Sequence, residues 1–542
     1  MSLGVAASNA GPGRPLIEVR SLVWEIPDGT PILDRLSLSL SSKRYGLVGS
    51  NGSGKTTLVR LIVGSLRPSA GHVRTHCSIG YVPQTIATSE AGSVRALLTE
   101  GPTAGLLGAS DPMSDSSPWA QDASGFTGRK ALILGKLGLS NVRLDQPVSS
   151  LSGGEVTLVA LASVVMREPE FLVLDEPTNN LDAHSKARLR EFLRQWKGGV
   201  LLVSHDRELL EDCEQILDLH EGQISEYGGG FAAYLAMRNE EEAAAIRQVH
   251  AAAQALRVKK NKAQQSYERQ QRRAATGARR RPNAGQAKII LGVWEESSQK
   301  TGARLAAVNK KRVTEAALRL SEARGQIRSH NRLRLCCPAP NLPAGKKVLE
   351  LKDVSKSFSE RAVLDHINLA ISGPERVLLS GANGTGKTTL IKILSGDLNA
   401  DAGTVEIGVS HVGYVPQSGF RWAAGDTVLG GFARRTGREL GDAREQLSRL
   451  LFTGSTVFRS INDLSGGERV RLALGAVLMN RNVPQLLLID EPTNNLDLDS
   501  IEQVESMLAD YEGAIVVASH DRHFVNAIGI DREIVLRSNH AP

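Results

Sequence analysis

Two stretches of this chain set glycines, a lysine and paired threonines in an order suited to holding a row of phosphates. The first is Gly49, Ser50, Asn51, Gly52, Ser53, Gly54, Lys55, Thr56 and Thr57; the second is Gly381, Ala382, Asn383, Gly384, Thr385, Gly386, Lys387, Thr388 and Thr389. Glycines let backbone N–H groups approach phosphate oxygens at a helix start, where the helix dipole adds to the attraction. In that arrangement Lys55 and Lys387 pair with β- and γ-phosphates, and the hydroxyls of Thr56 and Thr388 are placed to hold Mg²⁺. Two acidic pairs follow downstream, Asp175-Glu176 and Asp490-Glu491. The aspartates are placed to orient the Mg²⁺ shell, and the glutamates to polarise an attacking water, which needs a carboxylate within hydrogen-bond reach. The chemistry these residues spell is hydrolysis of a nucleoside triphosphate, set out twice.

The motifs recur in one order. Each phosphate loop is followed by Leu-Ser-Gly-Gly-Glu (Ser152, Gly153, Gly154; Ser465, Gly466, Gly467), by Asp-Glu-Pro-Thr-Asn-Asn-Leu-Asp, and by Ser-His-Asp-Arg around His205 and His520. Four motifs repeated in register identify two fused nucleotide-hydrolysing domains. The phosphate loops lie 332 residues apart but the signatures only 313, so the first copy carries about 19 extra residues between them. The Gly-, Ser- and Pro-rich stretch 101–125 is expected to be a loop insertion of that size.

The elements that must position these residues follow from hydrophobic pattern. Apolar runs lead into both glycine loops and apolar-periodic stretches leave them, which reads as strand, loop, helix. Phe171–Leu174 and Leu486–Ile489 are continuous apolar runs ending in acid, as expected of strands buried on both faces of a parallel sheet. Each half is therefore expected to be an α/β domain with its ligands at the carboxyl ends of the strands.

At 542 residues, 41% hydrophobic and 23% charged, the composition is that of an ordinary globular protein with three or four domains. No apolar run approaches the ~18 residues of a membrane span. Residues 1–15 are expected to be a flexible tail with no secretory signal. The four cysteines show neither zinc-ligand spacing nor a disulfide framework, and no metal site is assigned to them. Charge is unevenly placed. Residues 236–335 carry 23 Lys and Arg against 8 Asp and Glu, a net +15 that leaves −8 for the rest. This segment is rich in helix formers from about 231 to 271 and from about 304 to 330, interrupted by Thr276–Gly285. Two long helices joined by a basic tip at Arg279, Arg280 and Arg281 are expected, with a polyanion as the partner. The resulting plan is a tail over 1–15, a first nucleotide-binding domain over 16–230, a connector over 231–342 and a second nucleotide-binding domain over 343–542.

Taken together, the phosphate loops, Gln84 and Gln417 after Tyr-Val-Pro, the signatures, the acidic motifs and Ser-His-Asp resemble those of ATP-binding-cassette ATPases. The doubled cassette, the Asn-Asn-Leu-Asp form and the charged connector resemble the F subfamily, whose members are ribosome-associated. The resemblance implies two tandem cassettes, each a parallel-sheet core with a helical subdomain, using ATP and Mg²⁺, with Gln84 and Gln417 joining Thr56, Asp175, Thr388 and Asp490 around the metal. It also implies head-to-tail pairing within one chain, a monomer. Lys55 and Glu176 would act with Ser465 and Gly467, and Lys387 and Glu491 with Ser152 and Gly154. His205 and His520 would contact the γ-phosphate, although a lone histidine after a β-rich run is more often simply packed. Trp24 and Phe358, 25 and 23 residues before their loops, either stack on adenine or pack in the core.

The resemblance further implies a cytoplasmic protein that engages the ribosome, its RNA and tRNA through the connector and no membrane. A transporter's ATP-binding subunit and a DNA-maintenance ATPase are the competing readings. The first is disfavoured by the lack of a spanning segment and the basic connector, the second by the absence of very long coiled coils or cysteine metal sites. Within the subfamily, general translation factors and antibiotic-resistance proteins both fit, and the modest insertion at 101–125 argues against a large ribosome-contacting arm in the first cassette. One departure stands out: the first signature has Leu158 where the second has Arg471. The site using the first signature is therefore expected to hydrolyse more slowly.

Overall fold

The structure is a computed structural model that describes residues 15–86, 92–102, 131–179, 181–279, 288–325, 339–358, 361–417, 419–494 and 496–537. The expected tail, almost all of the 101–125 insertion and the adjacent Cys336-Cys337 lie outside the described residues. The chain divides into two compact units, one holding both nucleotide domains (1–233 with 332–542) and one holding the connector (234–331).

In each nucleotide domain a mostly parallel sheet carries the phosphate loop on an inner strand. The first runs in the order Ile79–Val82, Phe171–Asp175, Gly199–Val203, Arg44–Val48, Gln215–His220, Gln223–Gly228, with only the last pair antiparallel. The second repeats this without the last strand: Val412–Val415, Leu486–Asp490, Ala514–Ala518, Arg376–Ser380, Arg532–Val535. Helices cover both faces, so Phe171–Asp175 and Leu486–Asp490 are buried at every position, as their unbroken apolar sequence requires. A three-stranded antiparallel sheet packs beside each parallel one, Ile17–Glu25 between Pro31–Leu40 and Ala70–Thr75, and Lys347–Phe358 between Arg361–Ser372 and Ala402–Ile407. Between these sheets lies an apolar core that includes Leu58, Ile62, Val173 and Leu201 in the first domain and Leu390, Leu394, Leu488 and Val516 in the second. The phosphate-loop helices, Lys55–Ile62 and Lys387–Ser395, supply part of that core, which fixes the loops that precede them.

The signature helices, Gly153–Val165 and Gly466–Leu478, reach the sheet at a close approach made possible by glycine. A Cβ on Gly80 would fall 2.4 Å from a Val164 methyl, and one on Gly413 2.4 Å from a Val477 methyl. Both glycines sit on strands beside the one that ends in the acidic pair.

In the connector, the helices are longer than composition suggests: Phe231–Arg279 and Lys288–Gly325. A lone glycine in a helix costs only about 1 kcal/mol, so helix continues through Gly277, with the Thr276 hydroxyl bonding back to the Arg272 carbonyl at 2.8 Å. The second helix is described from Lys288 to Gly325, and residues 326–330 of the expected helix lie outside the described residues. Lys260, Lys262 and Arg272 are exposed. Arg280, Arg281 and the side chain of Arg279, the expected tip, lie outside the described residues. At the other end of the segment, Leu342 packs against the second domain's core and the Asn341 carbonyl accepts from Gln485 at 3.2 Å.

Because Gly80 and Gly413 have no room for a methyl, Gly80→Ala and Gly413→Ala are each expected to destabilise their domain by about 1–3 kcal/mol through overpacking. Thermal unfolding checks this; an unchanged midpoint would show that the signature helix moves aside freely.

Candidate functional site

The two phosphate loops have nearly the same backbone. Gly49 and Gly381 take φ near 149° and 146°, and Gly54 and Gly386, which open the helices, are left-handed at 101° and 95°. A Cβ on Gly49 would lie 2.4 Å from the Leu219 carbonyl, and one on Gly381 2.5 Å from that of Leu536, so only glycine lets the loop pass there. The lysines curl back over their own loops: Lys55 Nζ donates to the carbonyls of Gly49 (2.7 Å) and Ser50 (3.0 Å), and Lys387 Nζ to those of Gly381 (2.8 Å) and Ala382 (3.2 Å). Burial pushes both ammonium groups down, with Glu176 and Glu491 opposing the shift.

Facing each loop is a dense group of buried carboxylates. Neither oxygen of Asp175 has a hydrogen-bond partner, nor has Oδ2 of Asp490, whose other oxygen accepts from the Thr388 hydroxyl at 3.2 Å. Burial raises both aspartates, opposed first by the threonine hydroxyls. Orphaned carboxylate oxygens beside a threonine are the hard oxygen donors that Mg²⁺ takes, and the residues present fit that ion. Gln84 lines the same cavity of about 350 Å³ as Trp24, Asn51, Lys55, Thr56, Asp175 and Glu176. Gln417 stands at the equivalent point after Val412–Val415, exposed.

Glu176 and Glu491 are held in the left-handed region, φ 49° and 46°, which non-glycine residues seldom enter. Their backbone N–H groups donate to Val203 and Ala518 at 2.8 and 2.9 Å, which tethers them despite the strain. Such strain clusters where a side chain must be aimed. His205 Nε2 lies 3.1 Å from Glu176 Oε1, and His520 Nε2 3.3 Å from Glu491 Oε1. Burial raises the glutamates, to about 8 for Glu176 and about 6 for Glu491. Burial, with the nearby lysines, lowers the histidines to about 3 for His205 and about 4 for His520. At neutral pH both imidazoles are uncharged.

Each signature serine caps its helix in a reciprocal box. Ser152 Oγ accepts from the Glu155 N–H at 3.3 Å while Glu155 Oε2 accepts from the Ser152 N–H at 2.8 Å; Ser465 and Glu468 do the same at 3.2 and 2.9 Å. The signature glutamates are thus bound up in capping. Gly467 abuts the helix Leu498–Ala509, where a Cβ would meet the Ser500 hydroxyl at 2.0 Å.

That helix start crosses to the other half. Asp497, its N-cap, accepts from Ser500 N–H at 2.9 Å and, through Oδ2, from the Asn51 N–H of the first phosphate loop at 2.6 Å. On the opposite side the Asn383 backbone hydrogen-bonds Asp182. The last residue of Asp-Glu-Pro-Thr-Asn-Asn-Leu-Asp therefore joins the two halves, a contact that sequence reasoning passed over; its signal was an aspartate immediately before a helical pattern. The aromatic pair divides. Trp24 lines the first cavity while packing partly on the core, whereas Phe358 is 48% exposed with the Lys356 ammonium 5.7 Å from its ring.

The contrast between Leu158 and Arg471 takes a different form from the one expected. Arg471 points into its own cassette, bonded to Gln503 and 4.9 Å from the Phe452 ring. In the first cassette Leu158 is buried, and an arginine stands instead at the position equivalent to Gln503: Arg188, donating to the Gly138 carbonyl at 3.0 Å. The charge has changed helices.

The chain is similar to known proteins in both of its halves. The family model described as ABC transporter matches residues 33–179 and 364–494, about half the chain. The chain is 30% identical to a tylosin resistance ATP-binding protein of Streptomyces fradiae over 91% of its own length and 93% of that protein's. It is 29% identical to the energy-dependent translational throttle protein of Escherichia coli K12 over 93% and 89%. Among solved structures, a complex of an archaeal ribosomal stalk protein and an archaeal ribosome recycling factor matches with TM-score 0.59 at 20% identity, covering 95% of this chain and 87% of that one. With two complete motif sets on two such domains, the chain belongs to the ATP-binding-cassette ATPases, in the F subfamily.

Proposed function

We propose that this chain hydrolyses ATP with Mg²⁺ at two composite sites, each shared by both cassettes, and uses the resulting closure and opening to act on the ribosome. The observation that carries the composite reading is the 2.6 Å bond from the Asn51 N–H to Asp497, which sets one cassette's phosphate loop against the other's signature end. Mg²⁺ would supply charge neutralisation on the phosphates. Asp175, Thr56 and Gln84 would hold it in the first cassette, and Asp490, Thr388 and Gln417 in the second. Lys55 and Lys387 leave the loop carbonyls for the phosphates, and the loop N–H groups cradle them. Glu176 and Glu491 take a proton from the attacking water, aimed by the strained backbone. Neutral His205 and His520 donate from Nε2 to the γ-phosphate. The helix starts at Ser465 and Ser152 face that phosphate from the other half, so closure depends on ATP.

The ribosome reading is supported by the relatives whose names refer to translation and to resistance against tylosin, and by the net +15 over residues 236–335. No described helix is long and apolar enough to cross a membrane. We assign the connector to RNA and tRNA contact, with the protein a cytoplasmic monomer. Drug susceptibility of a sensitive host with and without the gene separates antibiotic protection from a general translation role.

Replacing Glu176 and Glu491 together with Gln is expected to retain ATP binding and lower turnover about 10²–10⁴-fold, leaving a closed protein held on ribosomes. Turnover at the parental rate would remove these glutamates from the chemistry.

The two sites should also differ in pH dependence. A base must be ionised, so activity falls as pH drops through its raised value, near 8 for Glu176 and near 6 for Glu491. With Glu491→Gln reporting the first site and Glu176→Gln the second, the acid limb of kcat/KM should lie at higher pH for the first. Coincident limbs would contradict the assignment.

Replacing Arg279, Arg280 and Arg281 with Ala should weaken co-sedimentation with ribosomes and flatten its salt dependence, by roughly 0.7–0.9 in slope per lost phosphate contact. ATPase activity off the ribosome should hold steady. Unchanged sedimentation at every salt concentration would remove these arginines from the interface.

A further inference from the structure

The two halves are held together unequally. Arg207, two residues after His205, makes a bidentate pair with Glu505 of the second cassette, Nη1 to Oε1 at 2.7 Å and Nη2 to Oε2 at 3.3 Å. The side chains are 9% and 14% exposed, so this is a largely desolvated ion pair. The same guanidinium stands 5.9 Å from the ring of Phe231, the first residue of the long connector helix. The repeats run at an offset of 315 residues from the acidic pair onward, which makes Arg522 and Arg190 the equivalent positions on the other side. There, two cations replace a cation and an anion. Arg190 is turned into its own cassette, bonded to Asp212 at 2.6 and 3.2 Å and to Glu208 at 3.2 Å. Arg522 and Arg190 line a cavity of about 300 Å³ between the cassettes, which Arg207 also borders.

We infer that Arg207 and Glu505 form a one-sided latch that keeps the site of Lys55, Glu176 and Ser465 closed between turnovers, while the seam beside Arg190 and Arg522 opens with each release from the site of Lys387, Glu491 and Ser152. This rests on the composite-site reading above. A buried bidentate pair resists separation because parting it leaves two desolvated charges, whereas two arginines have no such cost on opening. The cassettes then move as a hinge whose fixed edge is the Arg207 side. The first site becomes the slow exchanger and the second the fast one. Slower hydrolysis at the first signature, if measured, would then stem from looser closure, with Leu158 playing no part.

The test follows release of a fluorescent mant-ATP with Mg²⁺ from the full-length Glu176→Gln/Glu491→Gln protein, chased with unlabelled ATP. Two phases are expected, one slow and one fast. Arg207→Ala or Glu505→Gln should accelerate the slow phase about tenfold or more and leave the fast phase alone. The charge exchange Arg207→Glu with Glu505→Arg should recover the slow phase, which a merely destabilised protein would not. Arg522→Glu, which offers Arg190 an acceptor, should slow the fast phase. A slow phase untouched by Arg207→Ala and Glu505→Gln would overturn the latch. Ser465→Arg separates the two readings: loss of the slow phase upholds the composite site whatever the latch variants do, and loss of the fast phase instead overturns the pairing itself.

Discussion

Two strands, Phe171–Asp175 and Leu486–Asp490, deliver adjacent carboxylates to places that water scarcely reaches. Ionised carboxylates are costly there unless cations or donors answer them, and Oδ2 of Asp490 lacks a hydrogen-bond partner. The neighbours can be read as responses to that charge. The loop lysines sit close enough to oppose the raised glutamates, the histidines stay neutral, and the threonine hydroxyls turn toward the aspartates. A triphosphate with its metal would bring cations and donors to these oxygens. The left-handed backbone at Glu176 and Glu491 is therefore strain maintained by a rigid sheet for a ligand's benefit.

Much of this was legible from residue order, because the chemistry is local. Glycines that must take positive φ, a lysine at a fixed distance from them and an acid closing an apolar run are all neighbours in sequence, and the structure places Lys55, Thr56, Asp175, Glu176 and His205 around one pocket or its edge. The parallel sheets and their buried central strands were equally readable, since an unbroken apolar run admits few alternatives. What escaped was non-local. The role of Asp497 exists only because Asn51 lies 446 residues away, and neither residue's type announces the other. The connector helices were drawn too short because helix breakers were weighed singly, while the length of the flanking helix-forming sequence decides the outcome.

The seam between the halves also meets the base of the connector. Arg207 touches three things at once: it follows the histidine beside Glu176, it holds Glu505 across the seam, and it faces Phe231, where the connector helix begins. The Ala232 N–H, one residue later, donates to Glu211 at 2.8 Å, so the first turn of the connector is pinned to the segment that carries Arg207. One short segment, 207–211, thus contacts both the opposite cassette and the start of the connector helix.

Finally, the exchange between Leu158 and Arg188 bears on any attempt to regularise this protein. Measured against the second half, the first signature looks defective, and a consensus repair would write arginine at position 158. In the first cassette, however, Arg188 already brings a guanidinium to the position of Gln503, and Gly138 makes way for it: a Cβ there would fall 1.7 Å from Arg188 Nη1. A second guanidinium added at a site that is 2% exposed would have no glutamine to receive it and a like charge at the partner position. The two halves have become separate solutions to one packing problem, whose parts can be transplanted only as a set of three.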